Sequence, residues 1–413
     1  MVMNATTVYM VKRFMASLAN TTMFTTYAIF YIATLGLNPF ELLLVGMVLE
    51  LSVLLFEGVT GVVADTYSRR LSIIIGMFLL GIGFALQGIL PVLDGWLPFV
   101  SAFVWVLIAQ LFFGVGDTFV SGADTAWIVD EVGEEKLGSI FMRAKRYSLL
   151  ANMLGIGLSV WLSTLAPNLP YLFGGLIYLA LGVFLIFFMK ETGFTPRERE
   201  KGTSQWKEMS ETWLSGARVI RKEPILLLIL LVTLFTGAAS EGYDRLHEAH
   251  LISEIGFPQV AGISMAMWFG IIAALSSLLG LFAVSFAEKR LDVNNERIVV
   301  VGMFVLTALK IAAVIAFAIA PDFGWALVAL LLIGVIDSLT SPLYETWLNL
   351  NIESSVRATV LSMMSQSNAL GQTMGGPVVG WIGHRLSIRA SLITAGLLLI
   401  PILAVFGRVL RKR

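Results

Sequence analysis

The sequence predicts an all-α membrane protein whose twelve transmembrane helices form two parallel six-helix bundles. Three observations carry that expectation. First, the 413-residue chain is 57% hydrophobic and only 14% charged, whereas soluble globular chains are roughly 25% charged. Apolar runs of about 18 or more residues recur along it, long enough to cross a bilayer core. Second, one long polar stretch, Lys190–Glu223, divides the apolar sequence into nearly equal halves. Third, the halves echo each other. Residues 111–161 align without a gap to 331–381 at a constant offset of 220, so that Leu111, Gly114, Val115, Asp117, Ser121, Trp127, Gly155 and Trp161 meet Leu331, Gly334, Val335, Asp337, Ser341, Trp347, Gly375 and Trp381. Shared apolar bias aligns leucines and valines, but not an aspartate, a serine and two tryptophans in one register. A second echo pairs Gly76-Met77-Phe78 with Gly302-Met303-Phe304. Parallel repeats of this kind build transporters that rock two bundles about a central site.

Taken in order, the helices are expected near 8–35, 41–64, 71–93, 99–129, 138–165, 169–189, 224–248, 258–287, 296–319, 324–350, 357–383 and 388–409. Gly36–Pro39, Asp94–Pro98, Pro167–Pro170, Pro224, Pro258 and Pro321 punctuate them. Lys12-Arg13 before an apolar run mimics a signal peptide, but the run is rich in Thr and Tyr and has no small-residue cleavage pattern, so it reads as the first membrane helix. The domains are then 1–189, a linker at 190–223, and 224–413. Within the linker Trp206, Met209, Trp213 and Val219 fall at helical spacing among Lys and Glu, which suits either an interfacial helix or a solvated one.

Basic residues orient the chain. With both termini cytoplasmic, the inner segments hold Arg69, Arg70, the linker cluster, Lys289, Arg290, Arg297 and the Arg411-Lys412-Arg413 tail, and the outer loops only Arg385 and Arg389. That predicts a multi-pass protein of the plasma (cell inner) membrane. Lys+Arg and Asp+Glu both number 28, so net charge implies no nucleic-acid partner. There are no cysteines, and no metal-ligand spacing, nucleotide loop or nucleophilic triad is visible. The expectation is a protein without metal or cofactor that is not an enzyme and is not driven by ATP.

The loop after the second predicted helix reads Gly58-Val-Thr-Gly61-Val-Val-Ala-Asp65-Thr-Tyr-Ser-Arg69-Arg70. It resembles the G-x-x-x-D-x-x-G-R-R/K signature of the major facilitator superfamily; Gly61, Asp65, Arg69 and Arg70 match, and Ser68 replaces a glycine. The resemblance covers essentially the whole chain and implies the major facilitator fold. It also implies a cytoplasmic latch of Asp65, Arg69, Arg70, Asp130 and Arg357, with Gly61 allowing close helix approach, and a monomer as the family expectation. Glu57 before Thr60-Gly61, and the run Gly122-Ala-Asp-Thr-Ala-Trp127-Ile-Val-Asp130-Glu131, are similar to patterns of drug-efflux relatives of the macrolide and tetracycline pumps. One departure is that the fifth predicted helix has Gly155-Ile-Gly157 without the proline many antiporters carry there.

The leading functional expectation is proton-coupled export of amphipathic drug-like compounds; uptake of a small metabolite, and a non-transporting receptor of the same fold, stand beside it. The partners would be a small-molecule substrate, protons and the lipid bilayer. The proton site is placed on Asp117, roughly 20 Å from the inner end of its helix at about 1.5 Å per residue, since an intramembrane acid is functional by default. Asp337 is its repeat mate, and Glu57, Asp124 and Glu345 are further candidates. Arg146 is read as a counter-charge for Glu57 or Asp124 or as part of the substrate cavity. Asn20, Thr21, Thr25, Tyr27, Tyr31, Trp105, Phe112, Phe235, Trp347 and Gln366 are the other cavity candidates, a mixed aromatic and polar lining that suits amphipathic ligands and ordinary packing alike. Glu241, Asp244 and Arg245 read either as an outer gate or as helix already in water. Lys310, alone in the middle of the ninth predicted helix, would be explained by Asp337 or Glu345.

Overall fold

The computed structural model describes residues 3–96, 99–133, 137–195, 224–290, 295–352 and 357–411. The order is α1 (Ala5–Phe24), a π-helical turn (Ile29–Thr34), α2 (Pro39–Thr66), α3 (Arg69–Gly88), α4 (Leu90–Trp96), α5 (Ala102–Val132), α6 (Leu137–Leu165), α7 (Leu169–Phe188), α8 (Pro224–His250) with a second π-helical turn (Leu251–Ile255), α9 (Met265–Glu288), α10 (Glu296–Ala318), α11 (Phe323–Asn351), α12 (Arg357–Arg385), α13 (Ile388–Leu397) and α14 (Ile400–Arg411). The expected helices are recognisable throughout. The first splits at Thr25, where the Thr25 hydroxyl and amide both bond the Thr21 carbonyl, a local competition that bends helices. Short polar side chains start several others. Ser68 caps α3, Asn295 caps α10 and Asp322 caps α11, each accepting from a backbone N–H two or three residues on, as N-caps do.

Ten helices among the described residues are long and apolar enough to cross a membrane, not the expected twelve. The two that fall short are α1 and α12. Both are polar for a physical reason: their polar faces are covered by neighbouring helices. α1 packs against α6 and α7, and α12 against α8. Asn20, Thr21 and Thr26 of the first helical stretch bond Tyr178, Asn152 and Ser159. On α12, Gly371 and Gly375 let α8 approach so closely that added Cβ atoms would lie 2.2 Å from the Leu234 carbonyl and 2.6 Å from Ala238.

The chain forms two compact units. One comprises Met1–Gly36, Leu51–Gln205 and Ser264–Gly270; the other comprises Leu37–Glu50, Trp206–Ile263 and Ile271–Arg413. The expected linker helix at Trp206–Val219 lies outside the described residues. In the first unit α1 packs on α6, and α3 on α5 and α7; in the second α8 packs on α12, and α10 on α11, α13 and α14. The sequence repeat is therefore also a packing repeat. The first unit is centred on aromatic rings, with Tyr31 stacked on Tyr171 at 5.7 Å and Phe84 against Phe113 at 4.8 Å. The second is centred on Trp347 and Phe406, with ring centroids 5.4 Å apart.

Candidate functional site

In the first unit the acids divide into two pairs of opposite character. Asp124 is buried and ion-paired with the buried Lys12 of α1, with Arg13 3.9 Å away. An intramembrane charge needs such a partner, because desolvation otherwise costs several kcal/mol. Lys12, not Arg146, is therefore the counter-charge of Asp124; Arg146 is exposed on α6. Asp117 and Glu57 are differently placed. The Thr60 hydroxyl donates to the Thr118 carbonyl at 3.1 Å, fixing α2 to α5 one residue from Asp117 and three from Glu57. The two carboxyls are in electrostatic range of each other. Asp117 opens to space while one Glu57 oxygen is buried without a hydrogen-bond partner. Among the described residues neither forms an ion pair.

In the second unit Asp337 of α11 pairs with Lys310 of α10 at 2.5 Å, which explains the isolated lysine. Asp244 of α8 lies within electrostatic range of both, and of Glu241 and Arg245. Glu241 is buried and accepts from Arg245 Nε at 3.0 Å. The charged end of α8 thus holds the buried Glu241 against Arg245, while Asp244 is exposed. Glu345 is exposed on α11.

The latch residues are largely assembled. Arg69 pairs with Asp130, reaches Asp65 at 3.7 Å, and donates to the Ala126 carbonyl at 3.0 Å. The Arg357 side chain lies outside the described residues. Two details differ from expectation. Among the described residues nothing lies within 4 Å of a Cβ placed on Gly61, which faces open space, so it makes no close helix approach here. Arg70 stays out of the latch; it donates to the Met189 and Ile186 carbonyls at 2.6 and 2.7 Å, closing the C-terminus of α7. The chain after α7 then folds back as a strap. Glu191 accepts from the Ser68 hydroxyl and the Arg70 amide. Glu131 accepts from the amides of Thr192 and Gly193, the Trp127 indole donates to the Lys190 carbonyl at 2.8 Å, and Phe194 lies 5.5 Å from the Arg69 guanidinium. The serine that replaces glycine in the loop signature is a ligand of this strap.

The cavity candidates fare unevenly. Tyr31 and Trp347 are core residues, 2% and 0% exposed. The Tyr31 hydroxyl bridges Gln87 and Gln110, so neither lines a wetted wall; both are large rings best buried where repeat helices converge. Thr21 and Thr25 spend their hydroxyls within the unit. Gln366 is nearly buried. Asn20 is exposed and accepts from Tyr178, and Tyr27, Trp105, Phe112 and Phe235 are partly exposed. Lys12 and Glu191 were not singled out. A lysine within the first helix, level with an acid on a neighbour, was the available signal for Lys12; Glu191 had none, because it lies in a polar run.

Repeated helical units with charge clusters inside their apolar helices define a multi-pass membrane transporter. The chain belongs to the Major Facilitator Superfamily, whose family model matches residues 13–372; its members are transporters and not enzymes. The chain is 24% identical over 383 residues to an uncharacterized MFS-type transporter, YxaM, of Bacillus subtilis (strain 168), covering 91% of this chain and 89% of that one. Among solved structures it is similar to the nucleoside transporter NupG, with a TM-score of 0.70 and 14% identity, each chain covered to 99%. It is also similar to the POT family transporter PepTSo, with a TM-score of 0.73 and 12% identity, covering 98% of this chain and 97% of that one. At such identity the likeness speaks for the fold.

Proposed function

We propose that the protein exports amphipathic small molecules by proton-coupled alternating access, and that Asp117 and Glu57 together form its proton site. The observation that carries this is the contrast among its acids. Asp124 and Asp337 are each ion-paired with a lysine. Asp117 and Glu57 have each other, and two neighbouring carboxyls, one with a buried oxygen, cannot both ionise at low cost. A proton held between them is released when a cationic or polar group of the substrate takes its place. The partly exposed Asn20, Tyr27, Trp105 and Phe112 line the substrate's path, and the efflux-like runs around Glu57 and Gly122–Glu131 favour export. Under this reading α1 and α12 complete twelve spans, the bundles are 1–189 and 224–413, and both termini face the cytoplasm of a plasma-membrane monomer. The latch closes when Arg357 meets Asp65. NupG and PepTSo, named for nucleosides and as a POT transporter, keep uptake as an outcome of the test.

Two measurements decide it. Purified protein given substrate in weakly buffered detergent is expected to release protons, and Asp117→Asn and Glu57→Gln to abolish that release while still binding substrate; release unchanged in Asp117→Asn overturns the site. In cells, a fluorescent amphipathic panel is expected to accumulate less when the protein is present, with a protonophore erasing the difference. Higher retention in expressing cells reverses the direction.

A further inference from the structure

The repeat packs one pair of helices in two ways. In the first unit α3 crosses α5 with almost no gap. A Cβ on Gly76 would meet Val120 at 2.5 Å and the Gly116 carbonyl at 2.7 Å, and the Ser72 hydroxyl donates to the Phe119 carbonyl at 2.7 Å. The corresponding helices of the second unit are α10 and α11. The repeat registers put Gly302 at the place of Gly76, Ile298 at that of Ser72, Ile336 at that of Gly116 and Leu339 at that of Phe119. A buried isoleucine now stands where glycine let the helices meet, and Pro342 lies inside α11. A Cβ on Gly302 would touch only Leu343, at 3.4 Å. α10 and α11 still pack, but at this level they leave a cleft of about 610 Å³ between them, bordered on its third side by α9.

The chemistry of the cleft is sorted along its length. Ile298, Val301 and Val305 border it and are exposed. Glu288, Asn295 and Arg297 gather at one end, beside Lys289 and Arg290. The volume would hold about twenty waters at roughly 30 Å³ each, but apolar walls give them few partners. Left empty, the lining would forfeit its dispersion contacts. The Asn295 side chain is already spent on the Arg297 and Ile298 amides. The Arg297 guanidinium forms no ion pair among the described residues.

We propose that this cleft is a phospholipid site: one acyl chain lies along α10 between α9 and α11, with the phosphate on Arg297. Packing rather than transfer from water holds the chain, as between helices in a bilayer, and the guanidinium supplies the charge-assisted bonds that phosphate takes well. Glu288, which unlike Lys289 and Arg290 lines the cleft itself, favours a headgroup bearing an ammonium over one of net negative charge.

The test uses the full-length protein purified in detergent and supplied with phosphatidylethanolamine or phosphatidylglycerol, bound lipid being counted by native mass spectrometry. The parent is expected to retain one phosphatidylethanolamine. Gly302→Leu, which fills the cleft without meeting backbone, is expected to weaken retention about tenfold, Arg297→Gln to weaken retention of both lipids, and Glu288→Gln to erase the preference between headgroups. A diazirine on the acyl chain is expected to label the 298–306 stretch. Val305→Phe, with the melting temperature as a folding check, replaces Gly302→Leu if that variant does not fold. Unchanged retention in a folded cleft-filling variant, labelling elsewhere, or displacement of the lipid by an equal concentration of a fluorescent amphipathic drug each overturns the proposal; the last would make the cleft a substrate entrance.

Discussion

Among the described residues each unit carries one lysine–aspartate pair inside its membrane helices, but not on the same acid of the repeat. In the first unit the pair is Lys12–Asp124; in the second it is Lys310–Asp337. The repeat register puts Tyr344 at the place of Asp124, and there Tyr344 shares a hydrogen bond with Thr233 of α8. One contact between equivalent helices is thus an ion pair in one copy and a neutral hydroxyl pair in the other. Conversely, Asp337 has the base that its mate Asp117 lacks. The repeat keeps one carboxyl position, Asp117 and Asp337, with a different partner in each copy, and replaces the other carboxyl by a tyrosine. What distinguishes the two equivalent acids is therefore the partner each one meets.

Three substitutions sharpen that comparison. The largest effect is expected from Lys12→Ala. Both side chains of its pair are nearly inaccessible, and removing one partner of such a pair costs about 3–5 kcal/mol. The double variant Lys12→Met with Asp124→Leu is expected to recover most of this in thermal unfolding; a single variant as stable as the parent would show that Asp124 finds another partner. Lys310→Met should cost less, about 1–2 kcal/mol, because the Asp337 side chain is 45% exposed and solvent screens what the lysine no longer does. It should also turn Asp337 into a copy of Asp117, adding a second proton to substrate-induced release. An unchanged proton count would break the comparison. The smallest effect is expected from Glu191→Gln, about 1 kcal/mol for weakened hydrogen bonds to the charged acceptor, read as faster proteolysis after Met189 with proton release unaltered.

Much of the fold was legible because hydropathy runs report burial in lipid directly. The bounds expected for α6, α7, α10 and α11 lie within a residue of those observed. α1 and α12 were found through position and punctuation although their composition falls short, since their polar faces are hidden by helices distant in sequence. The site was less legible. Asp117, Glu57 and Asp337 stand out as acids in apolar sequence, but whether each has a base depends on which residues neighbouring helices bring level with it. Lys310–Asp337 could be named as one option; Lys12 could not be assigned to Asp124, 112 positions away. The core roles of Tyr31 and Trp347 were hidden for the same reason: a ring on an inward helix reads alike whether it meets a cavity or another ring.

The strap changes where force enters the first unit. A chain leaving α7 freely would deliver any pull from the linker to the end of that helix alone. Residues 190–194 are instead fastened to the start of α3 through Glu191 and to the end of α5 through Trp127 and Glu131. Traction on the linker is therefore borne first by the helix ends that present Arg69 and Asp130, and α7 is shielded from it.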